Sequence, residues 1–259
     1  MKVLGLIFIF TVLALSQEFR PWRQERRAGK QSLLQFLNHF GLIAIGNFLV
    51  KTISVIGLNA FIVKTIFGND FQGPLFLIHN SVIKSLISLL ILDYLIYWQH
   101  RWSHQLNFLW KFHYVHHTDR QMELSSAIRF HPIEIGLSFF YKSIIIFVLG
   151  ISYQDFVIFE SILLFMALFN HSNINLPQWV ERIFGSLLVT PRMHFVHHSI
   201  EPTQMNKNFG FSINLWDRLH GTYLKLNEKE LIELKLGVKN SEQIDNLKQL
   251  LLAPFRMQK

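Results

Sequence analysis

Long apolar runs set the tightest limit on how this chain folds. The stretches 33–67, 75–98, 133–149 and 156–169 are each dominated by Leu, Ile, Phe and Val. A transmembrane helix needs about 20 mostly apolar residues, so these runs read as membrane helices. The expected fold is all-α, with about four or five spans. The run 33–67 is interrupted by Lys51 and Lys64, and fits one tilted helix with an extension or two short ones. An earlier run, 3–15, has the length of a signal-peptide core. The strongly basic residues that follow it favour a short uncleaved anchor instead. Residues 150–155 form a short polar break that reads as a hairpin turn between the last two runs.

Composition narrows the chemistry. Half of the 259 residues are hydrophobic and only 16% are charged. Cysteine is absent, which excludes disulfides, thiolate-held iron–sulfur clusters and thiolate-ligated haem. Any metal site must use nitrogen and oxygen. The net charge is +8, with Arg20, Arg23, Arg26, Arg27 and Lys30 clustered after the first apolar run. A basic cluster beside a membrane span marks the cytoplasmic side. No nucleic-acid-binding motif accompanies the charge, so no nucleic-acid partner is expected.

Against this apolar background stand three histidine groups: His100 and His104; His113, His116 and His117; and His194, His197 and His198. Neutral imidazole is the commonest protein ligand for a transition metal. Spacings of three and four bring side chains to one helical face, with His100 and His104 about 6 Å apart along the axis. Eight imidazoles exceed the needs of one four-coordinate zinc. They fit either two ions or one ion with a crowded surrounding shell. Asp93 lies two turns before His100 on roughly the same face, and is a candidate to orient a ligand through its second ring nitrogen. His171 emerges from the last apolar run and is a candidate ninth ligand. His131, at the entry of the 133–149 run, is a candidate ligand, a residue that orients a ligand, or a substrate contact. His39, His79 and His220 stand alone and read as structural or surface residues.

Parity tests whether the groups can meet. One crossing by 33–67, one by 75–98 and a hairpin at 150–155 leave all three groups on one side of the membrane. Counting 33–67 as two crossings changes which side that is, but not their co-location. The site is expected to face the cytoplasm, beside the basic segment.

The three boxes, together with Arg129-Phe130-His131-Pro132, Asn170-His171-Ser172-Asn173, Thr190-Pro191-Arg192-Met193-His194, Asn208-Phe209-Gly210 and Trp216-Asp217-Arg218-Leu219, resemble the fatty acid hydroxylase/sterol desaturase superfamily of membrane non-haem di-iron oxygenases. The resemblance covers roughly 92–223. It implies a helical membrane anchor carrying a cytosolic helical cap; with composition, the chain divides into anchor helices (1–91), the resembling catalytic domain (92–227) and a charged helical tail (228–259). It also implies ligands at His100, His104, His113, His116, His117, His171, His194, His197 and His198. Two iron ions, for which zinc can substitute, would use O2 on an unactivated C–H bond of a lipid such as a sterol or fatty acyl chain. Hydroxylation or desaturation would follow. Electrons would come from a separate protein, cytochrome b5-like or ferredoxin-like. Some relatives carry a further histidine four residues after the position of His171. Here that position is Asn175, a candidate to complete one metal's shell itself or through water. Phe195 stands where many similar chains have arginine, and His220 where an aromatic is usual. Phe139, Phe140 and Phe195 are candidates to line an acyl or sterol channel.

Two other classes remain open at this level. A histidine-rich membrane metal-binding or transport protein would place its site near the bilayer midplane, whereas these histidines cluster at helix exits. A zinc hydrolase would commonly show HExxH, which is absent.

Overall fold

A computed structural model describes residues 2–23, 29–55, 72–239, 241, 244 and 246–256. Among these the chain is helical, with isolated bridges but no strand. Among the described residues, four helices are long and apolar enough to cross a membrane: Gln31–Thr52, Ser81–Gln105, Pro132–Leu149 and Tyr153–His171. The expected membrane-helical fold is therefore present. The part of the second apolar run beyond residue 55 lies outside the described residues.

The helices are α1 (Lys2–Phe19), α2 (Gly29–Val55), α3 (Ser81–Gln105), α4 (Asn107–His117), α5 (Pro132–Leu149) and α6 (Tyr153–His171). The short helices α7 (Gln178–Phe184), α8 (Pro191–His197), α9 (Pro202–Met205), α10 (Leu215–Leu219), α11 (Glu228–Glu233) and α12 (Leu247–Arg256) follow among the described residues. Helix α1 precedes the four spans in the chain. It lies along α6, where Leu13 is buried with Leu124, Ala127, Ala167, Leu168 and Ile174. Gln17 Oε1 accepts hydrogen bonds from the backbone N–H groups of Leu124 and Asn173.

Capping chemistry fixes where the long helices begin and end. Asn80 caps α3 by accepting from Ile83 N–H at 3.1 Å. Leu106 is extended, so α3 ends there and α4 starts at the next residue in a new direction. Pro132 opens α5, and Gly150 closes it with φ of 72°, a left-handed conformation that glycine adopts without steric penalty. A Cβ at Gly150 would lie 2.0 Å from the Gln72 carbonyl oxygen, so the turn requires glycine twice over. Ser152 then caps α6. This is the hairpin expected at 150–155.

The ends of these helices settle the parity argument for the described residues. Box one closes α3, Pro132 opens α5 and His171 closes α6, so all three meet at one end. The start of α2 lies at that end too, since Ser32 bonds Glu123 and His39 Nδ1–H donates to Ser125 O at 3.0 Å. Arg23 joins the same end, donating to the carbonyls of Leu231 and Leu234. Gly73 abuts Gly150 at the other end.

Candidate metal centre

Nine imidazoles converge at this shared end, in two sets. His100, His104, His113, His117 and His197 form one; His116, His171, His194 and His198 form the other. Within each set the candidate ligand atoms lie within 4.8 Å of one another. The sequence suggested that each box aims at one point. The structure divides the second and third boxes instead. In box two, His113 and His117, four apart, share a face and enter the first set, while His116 crosses to the second. In box three, His194 and His198 enter the second set and His197 crosses to the first.

Two short folds create this exchange. The break at Leu106 turns α4 back on α3, bringing His104 within 5.0 Å of His113 and 4.7 Å of His117 between ring centroids. Pro191 starts the two-turn α8, which packs on α6 and sets His194 4.4 Å from His171. The rings of His117 and His198 stack at 4.3 Å and 16° between the sets.

Second hydrogen bonds orient the rings. His100 Nδ1–H donates to Phe209 O at 2.7 Å, and His171 Nδ1–H to Ala167 O at 2.7 Å. His197 Nδ1–H donates to Lys207 O at 2.9 Å, and His113 Nδ1–H to Glu134 Oε1 at 2.6 Å. Each bond fixes the tautomer and leaves Nε2 as a lone pair. The Nε2 atoms of His100, His104, His113 and His197 are buried without a hydrogen-bond partner. In the second set, the Nε2 atoms of His116 and His194 each lie 3.1 Å from His171 Nε2. Ligands about 2.0–2.1 Å from one cation would be separated by a similar distance. Buried polar atoms without partners are rare, and their concentration here fits a donor set built for cations.

Burial keeps the rings neutral. His116, His117, His194 and His198 are held well below the ordinary imidazole range, first by desolvation and then by neighbouring imidazoles. His197 is pushed down to about 3, again chiefly by burial, with repulsion from His113 adding to it. Neutral imidazole is the form that binds metal.

Four expectations about the surroundings do not hold. Asp93 orients no histidine: its Oδ2 accepts from Trp216 Nε1 at 2.8 Å. The indole supplies the partner that a carboxylate in an apolar helix needs. His131 caps α5, its Nδ1 accepting from Ile133 N–H while Nε2–H donates to Leu251 O. Both nitrogens are thereby used. Asn175 is exposed and accepts from Arg192 Nη2 at 3.4 Å. Helix α6 stops at His171 and Ser172 is extended, so a residue four further on no longer shares the face of His171. Phe195 lines no channel either; it is buried in the cap with Met122 and Val196, edge-on to Trp22. His220 packs against the Tyr94 and Tyr97 rings, and His39 bonds Ser125 and Arg129, both structural as expected.

Other residues that matter gave weaker signals. Glu134 was legible only as a carboxylate in an apolar run. Asp217 cradles a loop: its oxygens accept from Phe209 N–H, Gly210 N–H and Thr222 Oγ1–H at 2.7–2.8 Å. That loop presents the Phe209 carbonyl to His100. Asn208, with φ of 54°, braces the loop through Met193 O and the Leu224 backbone. Fully buried Arg129 donates to Val115 O and Thr118 Oγ1, tying down the end of α4 behind box two.

A cavity of about 280 Å³ opens beside the first set. It runs from His100, His113 and Phe211 between α2, α3, α5 and α6, past Phe139, to Lys142 and Glu160.

A membrane helical frame carrying two interleaved histidine sets defines a class of membrane protein whose side chains could hold metal ions. The fatty acid hydroxylase family profile matches residues 85–222, just over half of the chain, and the chain belongs to that family. It is 30% identical over 138 residues to the ornithine lipid hydroxylase OlsE of Rhizobium tropici, covering 53% of this chain and 40% of the relative. It is 30% identical over 153 residues to human (Homo sapiens) alkylglycerol monooxygenase, covering 59% and 33%. A very-long-chain aldehyde decarbonylase of Oryza sativa subsp. indica, GL1-9, is 29% identical over 150 residues, 57% of each chain. The chain thus spans well under two thirds of the length of these relatives. No solved structure matches it.

Proposed function

We propose that this protein is a membrane-bound, O2-dependent di-iron oxidoreductase that hydroxylates or desaturates an unactivated C–H bond of a lipid. The single observation that carries this reading is the pair of histidine sets at the head of a cavity that descends between membrane helices. Family membership and lipid-oxidising relatives support it.

His100, His104, His113, His117 and His197 would hold one iron, and His116, His171, His194 and His198 the other. Zinc fits the same nitrogens, because imidazole does not discriminate strongly among such metals. Bound iron would supply O2 activation, which no side chain of this protein can provide. The protein's own contribution is orientation and exclusion of water. Glu134, Phe209 O, Ala167 O and Lys207 O hold the rings in place. Phe130 stacks on His116 at 4.4 Å and 10°, sealing the second set on one side. Ala127, Ile128 and Phe211 complete an apolar wall around the cavity head, where a substrate carbon would rest next to His100 and His113. A lipid would enter sideways from the bilayer. Electrons would come from a separate cytochrome b5-like or ferredoxin-like donor at the cap. The cap would face the cytoplasm, as the basic residues Arg20 and Arg23 at the same end suggest.

The test is anaerobic purification from iron-supplemented cells, a metal count, then lipid profiling after addition of O2 and a reductant. About two irons per chain, with a lipid gaining one oxygen or losing two hydrogens, is the expected result. One zinc per chain with no O2 uptake would sink it.

A further inference from the structure

Deep in the cavity, away from the imidazoles, two charged side chains meet. Lys142 Nζ donates to Glu160 Oε1 at 2.6 Å, joining α5 to α6. Lys142 is eight residues beyond Glu134, and Glu160 eleven before His171. At 1.5 Å per residue, Lys142 lies about 12 Å along α5 from Glu134, the partner of His113, and Glu160 about 16 Å along α6 from His171. Glu134, Ser138 and Lys142 recur every fourth residue and all line the cavity. One face of α5 therefore carries a polar stripe from His113 down to the pair.

Charge at such depth is expensive, and ionisable residues inside membrane segments mark substrate pathways. Stapling α5 to α6 does not explain it. Apolar side chains of similar volume hold buried surfaces together as well as a buried ion pair or better. Nor is the pair sealed between the helices: the Glu160 side chain is 38% exposed and that of Lys142 11%, and both face the cavity.

Resting on the lipid-oxidation reading, we propose that Lys142 and Glu160 anchor the polar group of the substrate, and that this group is a neutral hydroxyl. The pair has no net charge to balance an ionic headgroup. It does offer an ammonium donor beside a carboxylate acceptor, and a hydroxyl both accepts and donates. Ile135, Phe139 and Leu163 line the cavity and suit hydrocarbon. The anchor then measures length: the carbon held at His100 and His113 lies about 12 Å from the hydroxyl. A hydroxy-lipid would be oxidised far from its polar end.

The test compares hexadecan-1-ol with hexadecane as stabilisers of the full-length, iron-loaded chain in detergent. The alcohol should raise the melting temperature more than the alkane. That advantage should vanish in the Lys142→Met/Glu160→Gln double variant at unchanged iron content. An equal advantage in the variant, or none in the wild type, overturns the anchor. Should the variant fail to fold, the wild type is labelled with a hexadecanol bearing a diazirine beside its hydroxyl. Crosslinks within 139–164 support the anchor; crosslinks at Phe130 or Phe211 overturn it. Neither readout needs O2 or reductant. Lys142-dependent binding without any oxidation would leave the anchor and remove the oxidase reading. Oxidation of a lipid with no dependence on the pair would do the reverse.

Discussion

His117 and His198 stack with ring centroids 4.3 Å apart and 16° between planes, although each belongs to a different histidine set. The two candidate metal sites are therefore neighbours that share one wall.

Removing His171 tests this division. It belongs to the second set only, where its Nε2 lies 3.1 Å from those of His116 and His194. His171→Ala should lower bound metal from about two ions per chain to about one, since three ligands remain where structural sites use four. His104→Ala, in the five-membered set, should retain more metal. Elemental analysis of the two purified variants decides between this and a single merged site.

Glu134 is expected to matter without touching a metal. Its carboxylate takes the Nδ1–H of His113 at 2.6 Å, and loss of such a partner typically costs 10–100-fold in metal affinity or activity. Glu134→Gln should show a loss of that order in a chelator-competition titration. An unchanged affinity would mean that the ring is held by packing alone.

Asp217 supports the site from further away. Its two oxygens accept three hydrogen bonds from the Phe209–Gly210 backbone and Thr222, all buried. Asp217→Ala strands these donors and should destabilise the protein by about 2–5 kcal/mol. Chemical denaturation reads the loss, and metal retention should fall with it because the Phe209 carbonyl no longer steadies His100.

Acid should destabilise the metal-free protein. His197 titrates at about 3 when folded against an ordinary value of 6.5, and His116, His117, His194 and His198 are depressed in the same direction. The unfolded chain therefore binds more protons than the folded one as pH falls below about 6.5. By linkage, stability drops across that window and levels off only near pH 3 for His197. Melting temperatures of the apo protein from pH 8 to pH 5 should fall steeply below 6.5. A flat profile would mean that these rings are solvated rather than buried.

Much of the frame was readable because it rests on local rules. Apolar runs of membrane length, Pro132 before a helix and a polar break at Gly150 each act within a few residues of chain. The convergence of the boxes followed from counting crossings. For the surroundings of the imidazoles, Asp93 is placed by its spacing from His100, His131 by its position at a helix entry and Asn175 by resemblance, and none of these cues reports a tertiary partner. Their partners, Trp216, Leu251 and Arg192, come from elements as far as 123 residues away.

By itself the sequence determined which histidines are candidates to hold metal and that they gather at one end of the apolar helices, because helical period and hydropathy are properties of the chain. Only the tertiary structure decided that neighbours in one box serve different sites, that Glu134 and the Phe209 carbonyl aim the rings, and that Lys142 meets Glu160. Those outcomes depend on the turn at Leu106, the short α8 and the packing of α5 on α6. Distances between elements remote in sequence are set by such packing, and spacing along the chain carries no record of them.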